Sequence, residues 1–175
     1  MGHASRLTTL AMLIAAAFAL ASLERVFPNP FPMVRLGLGN IMTIAAFVIL
    51  GVSGGVWVSV GRVVLVALLW GGLFSPSAVL SAAGGAASLA VMVPLLLSGR
   101  FSLYGISMGG AYAHVAGQLA VASLLYVRST GLLYLVPVMG TAAILTGVFN
   151  AWVASKLATV FRNQESGISR NTKAV

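Results

Sequence analysis

The sequence predicts an all-α integral membrane protein, a bundle of six transmembrane helices. Three observations carry this expectation. Hydrophobic residues make up 59% of the 175 and charged residues 7%. Mean hydropathy is +1.04. Glycine, proline, serine or charge punctuates the chain at intervals matching a bilayer crossing. A soluble domain averages roughly 25% charged residues, because a hydrated surface must cover its core. A span needs about 20 apolar residues, so a chain of this length accommodates about six. The bilayer leaves no backbone group unpaired, and the short alternating segments of a barrel are absent, so the spans are helices.

The first run covers 7–23, after an N-terminal cytoplasmic segment at 1–6, and ends at Glu24-Arg25. Arg6 before an apolar stretch, with Ala19-Leu20-Ala21 as a cleavage-like site, also fits a signal peptide. The membrane-type sequence that follows favours a first span. The second run, 36–52, closes at Ser53-Gly54-Gly55, and the third, 56–74, at Ser75-Pro76. The fourth, 77–97, meets Ser98-Gly99-Arg100. The fifth, 106–127, meets Arg128-Ser129-Thr130-Gly131. The sixth, 132–157, passes into a basic cytoplasmic tail at 158–175. Six spans put both termini on one side. Arg6, Arg62, Arg100, Lys156, Arg162, Arg170 and Lys173 count for that side, against Arg25, Arg35 and Arg128 for the other. The positive-inside rule then places both termini in the cytoplasm, with the chain in the cell (inner, cytoplasmic) membrane.

The net charge of +8 is scattered as single arginines at the edges of apolar runs, with a cluster only in the tail. No basic stripe with interleaved aromatics exists to track phosphates, so nucleic acid is not an expected partner. The lipid bilayer is. There is no cysteine and no aspartate, and the only acids are Glu24 and Glu165. That excludes thiolate metal sites, an aspartate-rich magnesium site and paired-carboxylate acid/base chemistry. No GxxxxGK[ST] loop is present to cradle a nucleotide. Two histidines with so few other ligands make no metal centre. The expectation is a protein with no cofactor, no metal and no catalytic residues, and not an enzyme.

Several residues stand out against this background. Ala11, Ala15 and Ala19 recur every four positions and give the first helix a smooth face. That face suits packing within the bundle or docking of a separate membrane subunit. In the fifth span Ser107, Gly110, His114 and Gln118 share one helical face. An imidazole and an amide are costly in hydrocarbon, so they should turn inward, into an interhelical hydrogen bond or a solute cavity. Ser81, Gly85, Ser88 and Met92 align likewise in the fourth span, as do Thr146 and Asn150 in the sixth. The small residues suit close helix packing, the favoured reading for the fourth span, while hydroxyls and amides can hold a ligand. The stretch ERVFPNPFPMVRLGLGN at 24–40 joins the first two spans. Pro28, Pro30 and Pro32 make it a stiff, extended crossing. Arg35 then meets the positive end of the second helix, with Asn40 about a turn further in. An anionic group on a ligand offsets that encounter, as do Glu24 or lipid headgroup phosphates.

The residues Glu24-Arg25, Pro28-Asn29-Pro30-Phe31-Pro32 and Arg35-Leu36-Gly37-Leu38-Gly39-Asn40 resemble the first signature of the Gx transporter family, also labelled heptaprenyl diphosphate synthase component I. Arg35 stands for that pattern's lysine and Gly39 for its alanine. Ser107, Gly110, Ala111, His114 and Gln118 resemble its second signature, from which Val115 departs. The stretch at 74–92 fits as well, so the resemblance covers residues 7–157. Such proteins are similar to the substrate-binding S components of energy-coupling-factor (ECF) transporters. The resemblance implies a six-helix bundle with a solute site near the outside, roofed by the link between helices one and two. It also implies partners: a small-molecule solute, a T-component membrane subunit docked on Ala11, Ala15 and Ala19, and two ATPase subunits. On this reading Glu24, Arg35, Asn40, Ser81, His114, Gln118 and Asn150 bind the solute. A non-transporting scaffold for polyprenyl diphosphate or quinone synthesis, or for membrane redox partners, is the alternative. Prenyl diphosphate synthesis itself needs aspartate-bound magnesium, which this chain cannot build.

Overall fold

A computed structural model describes the backbone of residues 3–26, 37–70, 72 and 74–173, with side chains from 4 to 24, 37 to 70, 72 and 74 to 164. The proline-rich link, including Arg35, lies outside the described residues. Among them every regular element is helical. α1 spans His3–Val26, α2 Leu38–Leu69, α3 Pro76–Leu97, α4 Leu103–Val121 and α5 Val136–Lys173. A π-helical turn, Ala122–Val127, prolongs α4, and a 3-10 segment, Thr130–Leu135, leads into α5. Among the described residues five helices are long and apolar enough to cross a membrane.

The breaks follow local chemistry. Ser75 caps α3 by accepting the N–H of Ala78 at 3.3 Å, with Pro76 in the first turn, where its missing N–H costs nothing. Ser102 caps α4 through the N–H of Gly105 at 3.3 Å. Between α4 and α5 the chain turns through Arg128, at φ 50. The Ser123 hydroxyl donates to the Ser129 carbonyl across that turn at 2.6 Å.

α2 differs from the expected pair of spans at 36–52 and 56–74. Its interruption is at Gly51, with φ 81 and ψ −170, two residues before the expected Ser53-Gly54-Gly55 turn. That region of backbone space is essentially reserved for glycine. Gly54 and Gly55 are helical and serve another purpose: a Cβ on Gly54 would strike Leu50, and one on Gly55 would strike Phe47. The two limbs of α2 therefore lie on each other. A Cβ on Gly39 would fall 2.8 Å from Cδ of Arg62, whereas 23 residues of straight helix at ~1.5 Å each would separate them by about 35 Å. The C-terminal limb ends at Leu69, short of the expected 74.

Two apolar clusters hold the bundle. Ile41, Ile44, Ala45, Phe47, Met92, Ile106 and Ala154 join α2 to α3, α4 and α5. Leu13, Ala17, Ala46, Leu50 and Val58 seat α1 against both limbs of α2. The alanine stripe does not take part: Ala11, Ala15 and Ala19 are exposed, on the opposite face of α1 from Leu13 and Ala17. Packing inside the bundle is thus not their role. α5 continues well past 157, where the tail was expected to begin, with its backbone helical to Lys173.

Candidate functional site

Polar groups converge where α1, α2 and α5 meet. Gly37, at φ 65, is the N-cap of α2, and its left-handed backbone turns both peptide groups toward side chains of other helices. Its N–H donates to Oε1 of Glu24, near the end of α1, at 2.6 Å. Its carbonyl accepts from Nδ2 of Asn150 on α5 at 3.3 Å, and from the N–H of Asn40 at 2.8 Å. A carboxylate at a helix N-terminus is favourable, because the free N–H groups there carry partial positive charge. Glu24 fills that position.

Arg62 sits beside this junction. A Cβ on Gly39 would also be 3.0 Å from its Nη1 and 3.0 Å from the carbonyl oxygen of Ala17. The guanidinium therefore threads a gap that only a glycine leaves open. The carboxylate of Glu24 attracts it electrostatically. By its place along the chain Arg62 counts among the edge charges of the terminal side. The structure places it within the C-terminal limb of α2 instead, against the first turn of the N-terminal limb. The missed signal was its position, six residues inside an apolar run, where an ionisable residue in a membrane segment marks a functional candidate.

Among the described residues three buried polar atoms have no hydrogen-bond partner: Nε of Arg62, Oδ1 of Asn150 and Oγ1 of Thr43. Asn150 is 2% exposed and Thr43 0%. Thr43 lies one helical turn beyond Gly39, on the face that α2 turns toward its own second limb.

The other expected residues fall into separate groups. His114 and Gln118 face α3 rather than the Gly37 junction, as a Cβ on Gly84 would meet Nε2 of His114 and Cγ of Gln118, each at 2.8 Å. Next to Gly84, Gly85 faces Val63 of α2, since a Cβ added to it would lie 3.5 Å from Cγ2 of Val63. The glycine pair thus separates the His114–Gln118 face from the limb of α2 that carries Arg62. Ser81 is half-buried one turn before this pair, and Asn40 is half-buried beside the junction. Ser107, on the same face of α4, is fully buried and donates to the carbonyl of Gly147 on α5 at 2.7 Å, a structural bond. Ser88 spends its hydroxyl on the sulfur of Met92 at 3.3 Å. No group of three His, Cys, Asp or Glu side chains able to hold a metal occurs among the described residues.

At the opposite end of α1, Arg6 donates from Nη2 to the carbonyl of Leu50 at 3.2 Å, capping the N-terminal limb of α2 before its reversal. An open cleft of about 250 Å³ lies there, lined by Arg6, Leu7, Leu10, Leu50, Ser53, Gly54 and Trp57.

The sequence profile of the family described as heptaprenyl diphosphate synthase component I matches residues 13–157. Among solved structures, the S component of a bacterial ECF transporter is similar with a TM-score of 0.58 at 20% identity. That match covers 95% of this chain and 98% of the other. No curated protein matches the sequence.

Proposed function

As this chain belongs to the heptaprenyl diphosphate synthase component I family, and has a fold also found in an S component, we propose that it is the membrane-embedded substrate-binding subunit of an ECF-type transporter. It takes up a small solute with energy supplied by separate ATPase subunits and a T-type membrane subunit. The observation that carries this reading is the polar junction of Glu24, Gly37, Arg62 and Asn150 inside a largely apolar bundle. Buried charges and amides are expensive in a membrane and persist where they serve a solute or ion.

Counting the two limbs of α2 separately gives six crossings, which returns both termini to one side. With Arg62 removed from the count, Arg6, Arg100, Lys156, Arg162, Arg170 and Lys173 still outnumber Arg25, Arg35 and Arg128. Both termini are thus assigned to the cytoplasm. The link at 27–36, which lies outside the described residues, is then assigned to the external side. His114, Gln118 and Ser81 form a second wall of the same solute path, along the α3–α4 seam.

The exposed face of Ala11, Ala15 and Ala19 is the docking surface for the T-type subunit, since small side chains let another helix approach closely. The sequence carries no GxxxxGK[ST] loop, so the ATPase is assigned to separate subunits. We assign no catalytic role. A chain without aspartate lacks the carboxylates that hold magnesium on a diphosphate.

Affinity purification of the full chain from membranes tests the reading. Co-purification of a T-type membrane protein and an ATPase pair is the expected result. Ala15→Trp should abolish it while leaving the chain folded, because the added indole projects from an exposed face. Recovery of a polyprenyl synthase or a flavoprotein, with no ATPase, would establish the scaffold instead.

A further inference from the structure

The open cleft between the start of α1 and the reversal of α2 lies at the other end of α1 from Glu24. Its volume is about 250 Å³, and Arg6, Leu7, Leu10, Ser53 and Trp57 are among the residues lining it. Arg6 spends one guanidinium N–H on the Leu50 carbonyl, at 3.2 Å. Arginine carries five such donors in a fixed fork, so most remain for an acceptor in the cleft.

The lining is graded along the helices. Arg6 lies in the first turn of the apolar span that begins at Ala4. Leu10 is one turn deeper, about 6 Å at ~1.5 Å per residue. On α2, Ser53 follows the break at Gly51, and Trp57 lies one turn beyond Ser53. A cation and a hydroxyl thus mark the end of the helices, and apolar side chains with an indole mark the deeper part. Trp57 is 60% exposed and Leu7 56%, so both stand outside the packed core. Tryptophan is enriched where a membrane helix meets the water boundary.

The charge here has one sign. The whole sequence has two acids, Glu24 and Glu165. Glu24 is bonded to Gly37, eighteen positions along α1 from Arg6, about 27 Å at ~1.5 Å per residue. Glu165 stands in a stretch with Arg162, Arg170 and Lys173, which outnumber it. Met1, Gly2 and His3, whose side chains lie outside the described residues, include no acid. The undescribed residues therefore add no net negative charge at this end.

We propose that the cleft binds one anionic phospholipid of the surrounding membrane, its phosphate on Arg6 and Ser53 and its acyl chains along Leu7, Leu10 and Trp57. A guanidinium fork matches phosphate oxygens. The graded lining suits an amphiphile, whereas a free phosphate would leave the apolar wall unused. A zwitterionic headgroup would bring an ammonium to a place with no carboxylate, so a lipid whose phosphate is its one charge is preferred. The site needs only the membrane fold and is independent of what the chain transports.

Native mass spectrometry of the full chain, released from nanodiscs of equal parts phosphatidylglycerol and phosphatidylethanolamine, tests this. One phosphatidylglycerol should stay bound, in clear excess over phosphatidylethanolamine. Arg6→Gln, which can still donate to the Leu50 carbonyl, should lower that retention about tenfold. Trp57→Ala, at an exposed side chain, should lower it roughly threefold, and decides the matter should Arg6→Gln not fold. Arg100→Gln, outside the cleft, should leave it unchanged. Equal retention of the two lipids, or unchanged retention in both cleft variants, would overturn the proposal. An equal fall in Arg100→Gln would also overturn it, leaving diffuse attraction to a basic chain. Displacement of the lipid by millimolar glycerol 3-phosphate would overturn it in favour of a soluble phosphate. Loss of a co-purifying membrane protein in Trp57→Ala, with phosphatidylglycerol still held, would give the cleft to a protein partner instead.

Discussion

Glu24 and Gly37, thirteen positions apart, are joined by a hydrogen bond of 2.6 Å from the Gly37 N–H to the Glu24 carboxylate. This one contact fixes the end of α1 to the start of α2 across the whole proline-rich link. It also keeps a negative charge beside Arg62. Glu24→Gln retains an acceptor for the N–H but removes that charge. The substitution should cost about 1–3 kcal/mol, since it leaves a charged partner in a poorly hydrated place. Arg62→Met combined with Glu24→Gln should cost less than the sum of the two single changes. Unfolding midpoints of the four proteins form a double-mutant cycle that measures the coupling directly.

Gly51 tests the reversal of α2. A Cβ placed there meets nothing within 4 Å, yet the backbone has φ 81 and ψ −170. Gly51→Ala should therefore destabilise through backbone conformation alone, by roughly 1–3 kcal/mol. The comparison is Gly72, also at positive φ with no atom near its Cβ but lying between helices. Gly72→Ala is expected to cost less, because a connecting segment can relax where a helical hairpin cannot. Equal loss of unfolding temperature in the two variants would contradict a hairpin fixed at Gly51.

Gly84 tests the α3–α4 seam. Gly84→Ala pushes a methyl into space held by the His114 imidazole and the Gln118 side chain. Overpacking of this kind costs typically 1–3 kcal/mol. His114→Ala in the same protein should recover part of that loss, because the imidazole is the group displaced. Thermal unfolding of the single and double variants gives the answer, and a double variant no better than Gly84→Ala would mean that His114 is held elsewhere.

Much of this protein is legible along the chain. Hydropathy identifies the membrane helices because a bilayer demands long apolar runs wherever the chain crosses it. Ser75-Pro76 and Ser102 mark the starts of α3 and α4 because N-caps and first-turn prolines are local chemistry. Asn150 and Glu24 stand out because polar groups are rare in such runs. The alanine spacing on α1 is equally plain, but not the direction it faces. Periodicity says only that Ala11, Ala15 and Ala19 share a face, and their exposure depends on Leu13 and Ala17 being the side that meets α2.

The sequence by itself determined the all-helical membrane architecture and the few residues too polar to be idle within it. Tertiary structure decided which of them meet. Gly51 rather than Gly54 or Gly55 became the point of reversal, because the latter two were needed as room for Leu50 and Phe47. Arg62 moved from an apparent edge charge to the centre, and His114 with Gln118 turned to α3 instead of joining Asn150. Such pairings join residues from different helices, up to 113 positions apart. They depend on how helices rotate and stack, and no local pattern along one helix encodes its neighbour.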